Sequence, residues 1–161
     1  MKKTGLLIAL LVIASCTFAQ RANQKWYKSG IGVRYEFGEG YHETKGVTYD
    51  RFTSNTTSME LLVLSDLQTG FEVGGFYKYI KSLPDIPASL RWYAGIGIHG
   101  GKWADDGIVA GADALLGIGY TFSELPINLT VDWHPRYNVL TNDPVSFYPA
   151  KFGFNIRYII E

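Results

Sequence analysis

Apolar and polar side chains alternate one for one along much of the chain, the period of an extended strand with two unlike faces. The pattern is clearest from Pro126 to His134, where Ile127, Leu129, Val131 and Trp133 oppose Asn128, Thr130, Asp132 and His134. Between Lys151 and Ile160, Phe152, Phe154, Ile156 and Tyr158 oppose Gly153, Asn155 and Arg157. Near the start, Ile31, Val33, Tyr35 and Phe37 oppose Gly32, Arg34 and Glu36. Phe71, Val73, Tyr77 and Tyr79 face away from Glu72, Gly74 and Lys78, and Trp92, Ala94, Ile96 and Ile98 from Tyr93, Gly95, Gly97 and His99. Together with less regular stretches these give eight strand segments: Gly30 to Gly38, Gly46 to Ser54, Thr57 to Asp66, Gly70 to Ile80, Arg91 to Gly101, Val109 to Phe122, Pro126 to His134 and Lys151 to Ile160.

A two-faced antiparallel sheet suits either a soluble core or a barrel in lipid. Here the polar face is mostly glycine with isolated Arg, Glu, Asp and Lys, too sparse for a solvated surface but suited to a narrow interior. The bulky apolar face then meets lipid. No run of 18 apolar residues follows the N-terminal segment, so a membrane-spanning helix is not expected and a closed barrel is the other spanning form. The pattern predicts an all-β fold, an eight-stranded antiparallel transmembrane β-barrel with up-and-down meander order, preceded by a cleavable signal peptide.

If the first strand rises from the periplasm, Tyr79, Trp92, Tyr120, Phe122 and Tyr158 gather at the periplasmic end and Tyr35, Phe37, Phe71, Trp133 and Phe152 at the other. Two aromatic girdles are the mark of membrane interfaces. Short periplasmic turns are expected at Asn55-Thr56 and Ser123-Glu124-Leu125, and longer outer loops at Glu39 to Lys45, Lys102 to Ile108 and Pro135 to Ala150. Lys81 to Leu90 is long for a periplasmic turn, and Leu67 to Thr69 short for an outer loop. With Val47 and Tyr49 outward, Arg51 also points to lipid, and a bulge there would repair the register.

Composition sharpens this picture. With 161 residues a single domain is expected, and 24 aromatics with 18 glycines favour β structure. Lys+Arg and Asp+Glu both number 15, which argues against nucleic acid as a partner. Residues 1–19 read as a secretory signal: Lys2 and Lys3, an apolar run from Gly5 to Ala14, and a small-residue exit at Thr17-Phe18-Ala19. Cleavage there leaves residues 20–161 as the outer-membrane β-barrel domain, with 13 basic against 15 acidic groups and no cysteine. Ile13-Ala14-Ser15-Cys16 also resembles a lipoprotein box, so a lipidated Cys16 is the alternative mature terminus.

Candidate chemistry is sparse. Gly95-Ile96-Gly97-Ile98-His99-Gly100 spells a dinucleotide fingerprint but lies inside a strand, without the helix that the motif must open. His42, His99 and His134 have no cysteine to complete a zinc set, and no catalytic residue, metal site or cofactor is expected. The polar face collects Arg34, Lys78 and Arg157 with Glu36, Asp50, Glu60, Glu72, Asp113 and Asp132. Three bases against six acids leave an excess of acid, to be met by protonation, by Arg51 turning inward, or by cations and water.

The chain resembles the small outer-membrane β-barrel proteins of Gram-negative bacteria. The resemblance rests on the order Gly46-Val47-Thr48-Tyr49-Asp50-Arg51-Phe52, Met59-Glu60-Leu61, Trp92-Tyr93-Ala94-Gly95-Ile96-Gly97, Leu116-Gly117-Ile118-Gly119-Tyr120-Thr121-Phe122, Leu125-Pro126-Ile127-Asn128-Leu129, Asp132-Trp133-His134-Pro135 and Phe154-Asn155-Ile156-Arg157-Tyr158. It implies location in the outer membrane, contact with outer-membrane lipid, and delivery by the barrel assembly machinery. That machinery usually reads a terminal aromatic, whereas this chain ends Tyr158-Ile159-Ile160-Glu161. The expected role is envelope integrity or surface presentation. A narrow pore is the alternative, followed by a lipid-modifying barrel enzyme with Ser65 or Ser146 as nucleophile and His99 or His134 as base.

Overall fold

The computed structural model describes residues 27–38, 43–83, 89–143 and 146–160. The signal segment, Cys16, Gln20 and His42 lie outside them. The described residues form ten stretches of strand: β1 Ser29–Gly38, β2 Thr44–Phe52, β3 Thr57–Ser65, β4 Gly70–Ser82, β5 Leu90–Trp103, β6 Gly107–Thr121, β7 Ile127–Trp133, β8 Arg136–Leu140, β9 Phe147–Tyr148 and β10 Lys151–Ile159. They make eight staves, because β7 and β8 both pair with β6, in one register as far as Gly111↔Asn138, while β9 and β10 follow each other along the far side of β7 and β8. Every stave is antiparallel to its neighbours in sequence, and β1 pairs with β10, so the sheet closes into an up-and-down barrel.

The closure fixes the geometry. A row of paired residues leaving β1 at Phe37 runs through Phe152, Trp133, Leu116, Ala94, Tyr79 and Thr57 to Thr53, and reaches the chain just below β1 at Tyr27, ten positions lower. A stagger of that size tilts strands spaced by about 4.8 Å to about 41° from the barrel axis. Height along the axis then changes by about 2.5 Å per residue and about 3 Å per stave.

Alternation decides the faces. Val33, Val47, Leu61, Val73, Ile96, Ile118 and Val131 are exposed on the outer wall, while charged residues of the opposite parity are buried. By the row arithmetic, Tyr79, Trp92, Tyr120 and Tyr158 lie within about 4 Å of one level, with Phe122 about 5 Å lower. Phe37, Phe71, Phe152 and Tyr35 occupy the opposite end of the wall, and Trp133 sits about 6 Å below Phe37. Edge and stacked contacts join neighbours within each group, with ring centroids 6.1 Å apart for Tyr79 and Trp92 and 5.9 Å for Phe37 and Phe152.

Three expectations differ from the structure. The stretch from Pro135 to Ala150 is largely strand: β8 continues the line of β7, and Ala114 N–H donates to the Pro135 carbonyl at 3.0 Å. Across this stave the pairing steps by one residue, so that Pro135 stands opposite Pro149 and Ala150. A proline lacks the N–H a ladder needs, and a bulge is where that lack is harmless. The connections between strands span 39–43, 66–69, 104–106 and 141–146 at the outer end, against 53–56, 83–89 and 122–126 at the other. The expected asymmetry of loop lengths is therefore absent. Finally, β2 holds an unbroken register from Lys45↔Ser65 to Phe52↔Ser58 without a bulge, and Arg51 is exposed on the outer wall. Its row places it at the level of Tyr79 and Trp92, far from the middle of the wall.

Candidate functional site

The interior-facing parity of every stave converges on one line of charge. Arg34, Glu36, Asp50, Glu60, Glu72, Lys78, Asp113, Asp132 and Arg157 are all at most 5% exposed, as are Arg136 and Lys151. Charges buried in this way persist only when paired and hydrogen-bonded, and the pairs fall into three tiers.

In the lowest tier the Tyr27 hydroxyl donates to Asp50 at 2.9 Å. Lys78 Nζ lies 3.0 Å from Asp50 and 2.7 Å from Glu60, and 5.2 Å from the Tyr93 ring centroid. Glu60 also accepts from Thr48 Oγ1 at 2.5 Å and forms a close ion pair with Arg157. In the middle tier Arg34 forks onto both oxygens of Asp132, at 2.7 and 3.0 Å, and turns its Nε to Glu36 at 2.5 Å. Tyr93 donates to the same Asp132 at 2.7 Å. In the upper tier Arg136 grips Glu72 with both terminal nitrogens and Asp113 with Nε at 2.7 Å. Lys151 Nζ reaches Glu36 at 2.5 Å.

The histidines link the upper tiers. His134 sets Nδ1 3.1 Å from Glu36 and Nε2 3.1 Å from Asp113, with the edge of Phe76 against its ring. His99 sets Nδ1 2.7 Å from Asp113 and Nε2 2.9 Å from Asn138. His99 and His134 thus meet at Asp113. Ser65 is elsewhere: its hydroxyl donates to the Gly70 carbonyl at 2.6 Å and accepts from Leu67 N–H, and Ser146 meets this region through its carbonyl, which accepts from Asn138 N–H. Among the described residues no group of three or more His, Cys, Asp or Glu is arranged to hold a metal ion.

These bonds cross the barrel. Glu72 on β4 and Arg136 on β8 are three staves apart, as are Glu60 on β3 and Arg157 on β10. Leu62, Leu64, Phe76 and Leu115 form an apolar cluster among the buried side chains. Glycines on the lumen parity make room for the longest side chains. A Cβ on Gly153 would meet the Arg34 guanidinium at 2.1 Å, and one on Gly97 the Phe76 ring at 2.3 Å. The fingerprint-like Gly95 to Gly100 is therefore a strand packed under Phe76.

The charge count also changes. Five bases face six acids among the described lumen residues, because Arg136 and Lys151 join the three bases expected from the sequence. The large excess of acid is not present, and Arg51 plays no part in offsetting it. Arg136 lies in the stretch from Pro135 to Ala150 that the sequence reads as loop, and the prolines at its two ends obscure the strand there. Lys151 could have been found, since it shares the parity of Gly153, Asn155 and Arg157.

No protein-family model matches the chain, and no curated protein sequence does. The fold is similar to the crystal structure of the N-terminal β-barrel domain of Pseudomonas aeruginosa OprF, with a TM-score of 0.61 and 14% identity over 82% of this chain and 98% of that one. The architecture shared with it is the eight-stranded up-and-down β-barrel.

Proposed function

We propose that the protein is an integral outer-membrane barrel whose lumen is closed by its own ion pairs, and that it serves envelope integrity or surface presentation rather than transport or catalysis. The observation that carries this reading is the opposition of faces: an outer wall of exposed Val, Ile, Leu and aromatics around a lumen of cross-barrel ion pairs. In water that wall would be a continuous apolar surface far beyond the few hundred Å² that soluble monomers expose. In lipid it is the expected exterior, and the two aromatic groups mark its interfaces. Residues 1–19 then act as the export signal, residues 20–161 form the barrel, and the assembly machinery and outer-membrane lipid are its partners.

An eight-stranded interior is just wide enough to be filled by side chains, and here the longest of them meet across it. Planar-bilayer recording tests the proposal directly. Reconstituted protein is expected to give no discrete conductance steps, whereas regular single-channel openings would replace the closed-lumen reading with the narrow pore.

A further inference from the structure

Across β10, β1 and β2 the outer wall is not smooth. An open groove of about 540 Å³ lies there. Its floor is made by short branched side chains: Val33 pairs with Val47 on one side and Ile156 on the other. One row nearer the loop end, the paired Phe154, Tyr35 and Lys45 stand taller.

The mouth of the groove carries charge and an unusual loop. Lys45 is exposed, with Nζ 5.9 Å from the Tyr35 ring centroid, and the Tyr35 hydroxyl donates to Glu43 at 2.7 Å. Beyond Lys45, the loop 66–69 places Leu67 at the groove with 80% of its surface exposed and φ of 67°. A leucine in the left-handed region is strained. It is held there because Leu67 N–H donates to Ser65 Oγ, while Asp66 Oδ1 accepts from the N–H groups of Gln68, Thr69 and Gly70. A hydrogen-bonded polar turn thus presents one apolar side chain at an apolar trench, beside an ammonium.

We propose that this groove is a lipid site, taking one acyl chain of a phosphate-bearing lipid from the leaflet at the loop end, with the phosphate on Lys45 and Leu67 closing over the chain. Charge complementarity selects this occupant: the lysine lies in the upper aromatic zone, where headgroups meet the wall, while the floor below it is wholly apolar. Glu43 opposes any anion there, but it is turned toward the Tyr35 hydroxyl. The inference rests on the membrane reading above.

Native mass spectrometry of the full-length barrel, released from detergent after equilibration with dioleoyl phosphatidylglycerol or with dioleoylglycerol, tests it. The wild type should retain a single phosphatidylglycerol, and dioleoylglycerol more weakly. Lys45→Gln should weaken phosphatidylglycerol retention about five-fold, the scale of one lysine near a lipid surface. Val47→Trp, which fills the floor and leaves the wall apolar, should weaken both lipids, and Lys102→Gln at the same rim should change neither. Equal retention by wild type, Lys45→Gln and Val47→Trp would overturn the site, as would equal losses from Lys45→Gln and Lys102→Gln. A dimer peak abolished by Val47→Trp would assign the groove to a second copy instead. Heat-dependent gel mobility verifies that each variant is folded. Insertion of the wild type into vesicles is scored separately, so a failure of the membrane reading is distinguishable from a failure of the lipid site.

Discussion

Glu60 offers the sharpest test of the closed lumen, because its neighbours make the two halves of one ion pair unequal. It accepts from Thr48 Oγ1 at 2.5 Å and from Lys78 Nζ at 2.7 Å, and pairs closely with Arg157. Removing Arg157 leaves Glu60 with Lys78 still in place. Removing Glu60 leaves Lys78 with Asp50 at 3.0 Å but deprives Arg157 of its carboxylate, with Asn128 and Thr130 oxygens at 3.4 and 3.5 Å as its remaining acceptors. Breaking a buried pair costs about 3–5 kcal/mol, chiefly from the charge left behind. Arg157→Met is therefore expected near about 3 kcal/mol and Glu60→Gln near about 5, the upper end of that range. The double variant should lie within about 2 kcal/mol of wild type, since neutralising both partners can be almost free. Urea-dependent folding into lipid vesicles, followed by heat-dependent gel mobility, measures all four corners of this cycle. An Arg157→Met loss equal to or larger than that of Glu60→Gln, or losses that simply add, would refute the reasoning.

Val131→Arg places a guanidinium near the middle of the lipid-facing wall and should cost about 2–4 kcal/mol in the same folding assay, whereas Arg51→Ala at the interface should change stability by less than about 1 kcal/mol. Gly153→Ala drives a methyl into the thrice-paired Arg34 guanidinium and should cost about 1–3 kcal/mol by overpacking, read from the urea midpoint. The Thr69 hydroxyl, followed by the N–H groups of Gln68, Thr69 and Gly70, holds the Asp66 carboxyl well below the usual carboxylate range. Because the folded state favours the ionised form, its stabilisation of loop 66–69 is complete above about pH 4, the unfolded carboxylate value, and is lost as pH falls through the lower folded value. Amide hydrogen exchange at Gln68 and Thr69 should therefore stay protected at pH 5, and Asp66→Asn should lose part of that protection at every pH.

The outer wall was legible because lipid demands apolar side chains at every second position, and Ile127 to Trp133 or Ile31 to Phe37 state that demand without interruption. The lumen was less so, because its requirement is only that groups be satisfied, by charge or by packing. Leu62, Leu64, Phe76 and Leu115 face inward, and an apolar-means-lipid rule has no place for them; the informative signal is their parity with Ser58 and Glu60 on β3, Glu72 and Lys78 on β4, and Asp113 on β6. Arg136 was lost for a different reason. Pro135 and Pro149 each argue against a strand when taken singly, and only pairing across the bulge turns two breakers into one tolerated defect. The groove holding Leu67 depends on which rows lie side by side, a property of the closed barrel that no single segment contains.

The ten-position stagger makes the register of each stave depend on that of every other. Inserting one residue in the middle of any stave would exchange lumen and lipid faces beyond it and leave the first and last staves out of step, so that error cannot stay local. Changes of length can be absorbed only at the rim, where the register shift at Ala110 and Gly111 and the step opposite Pro135 already sit. The barrel behaves as a counted ring: its seam accepts only whole corrections, and the prolines mark where one has been admitted.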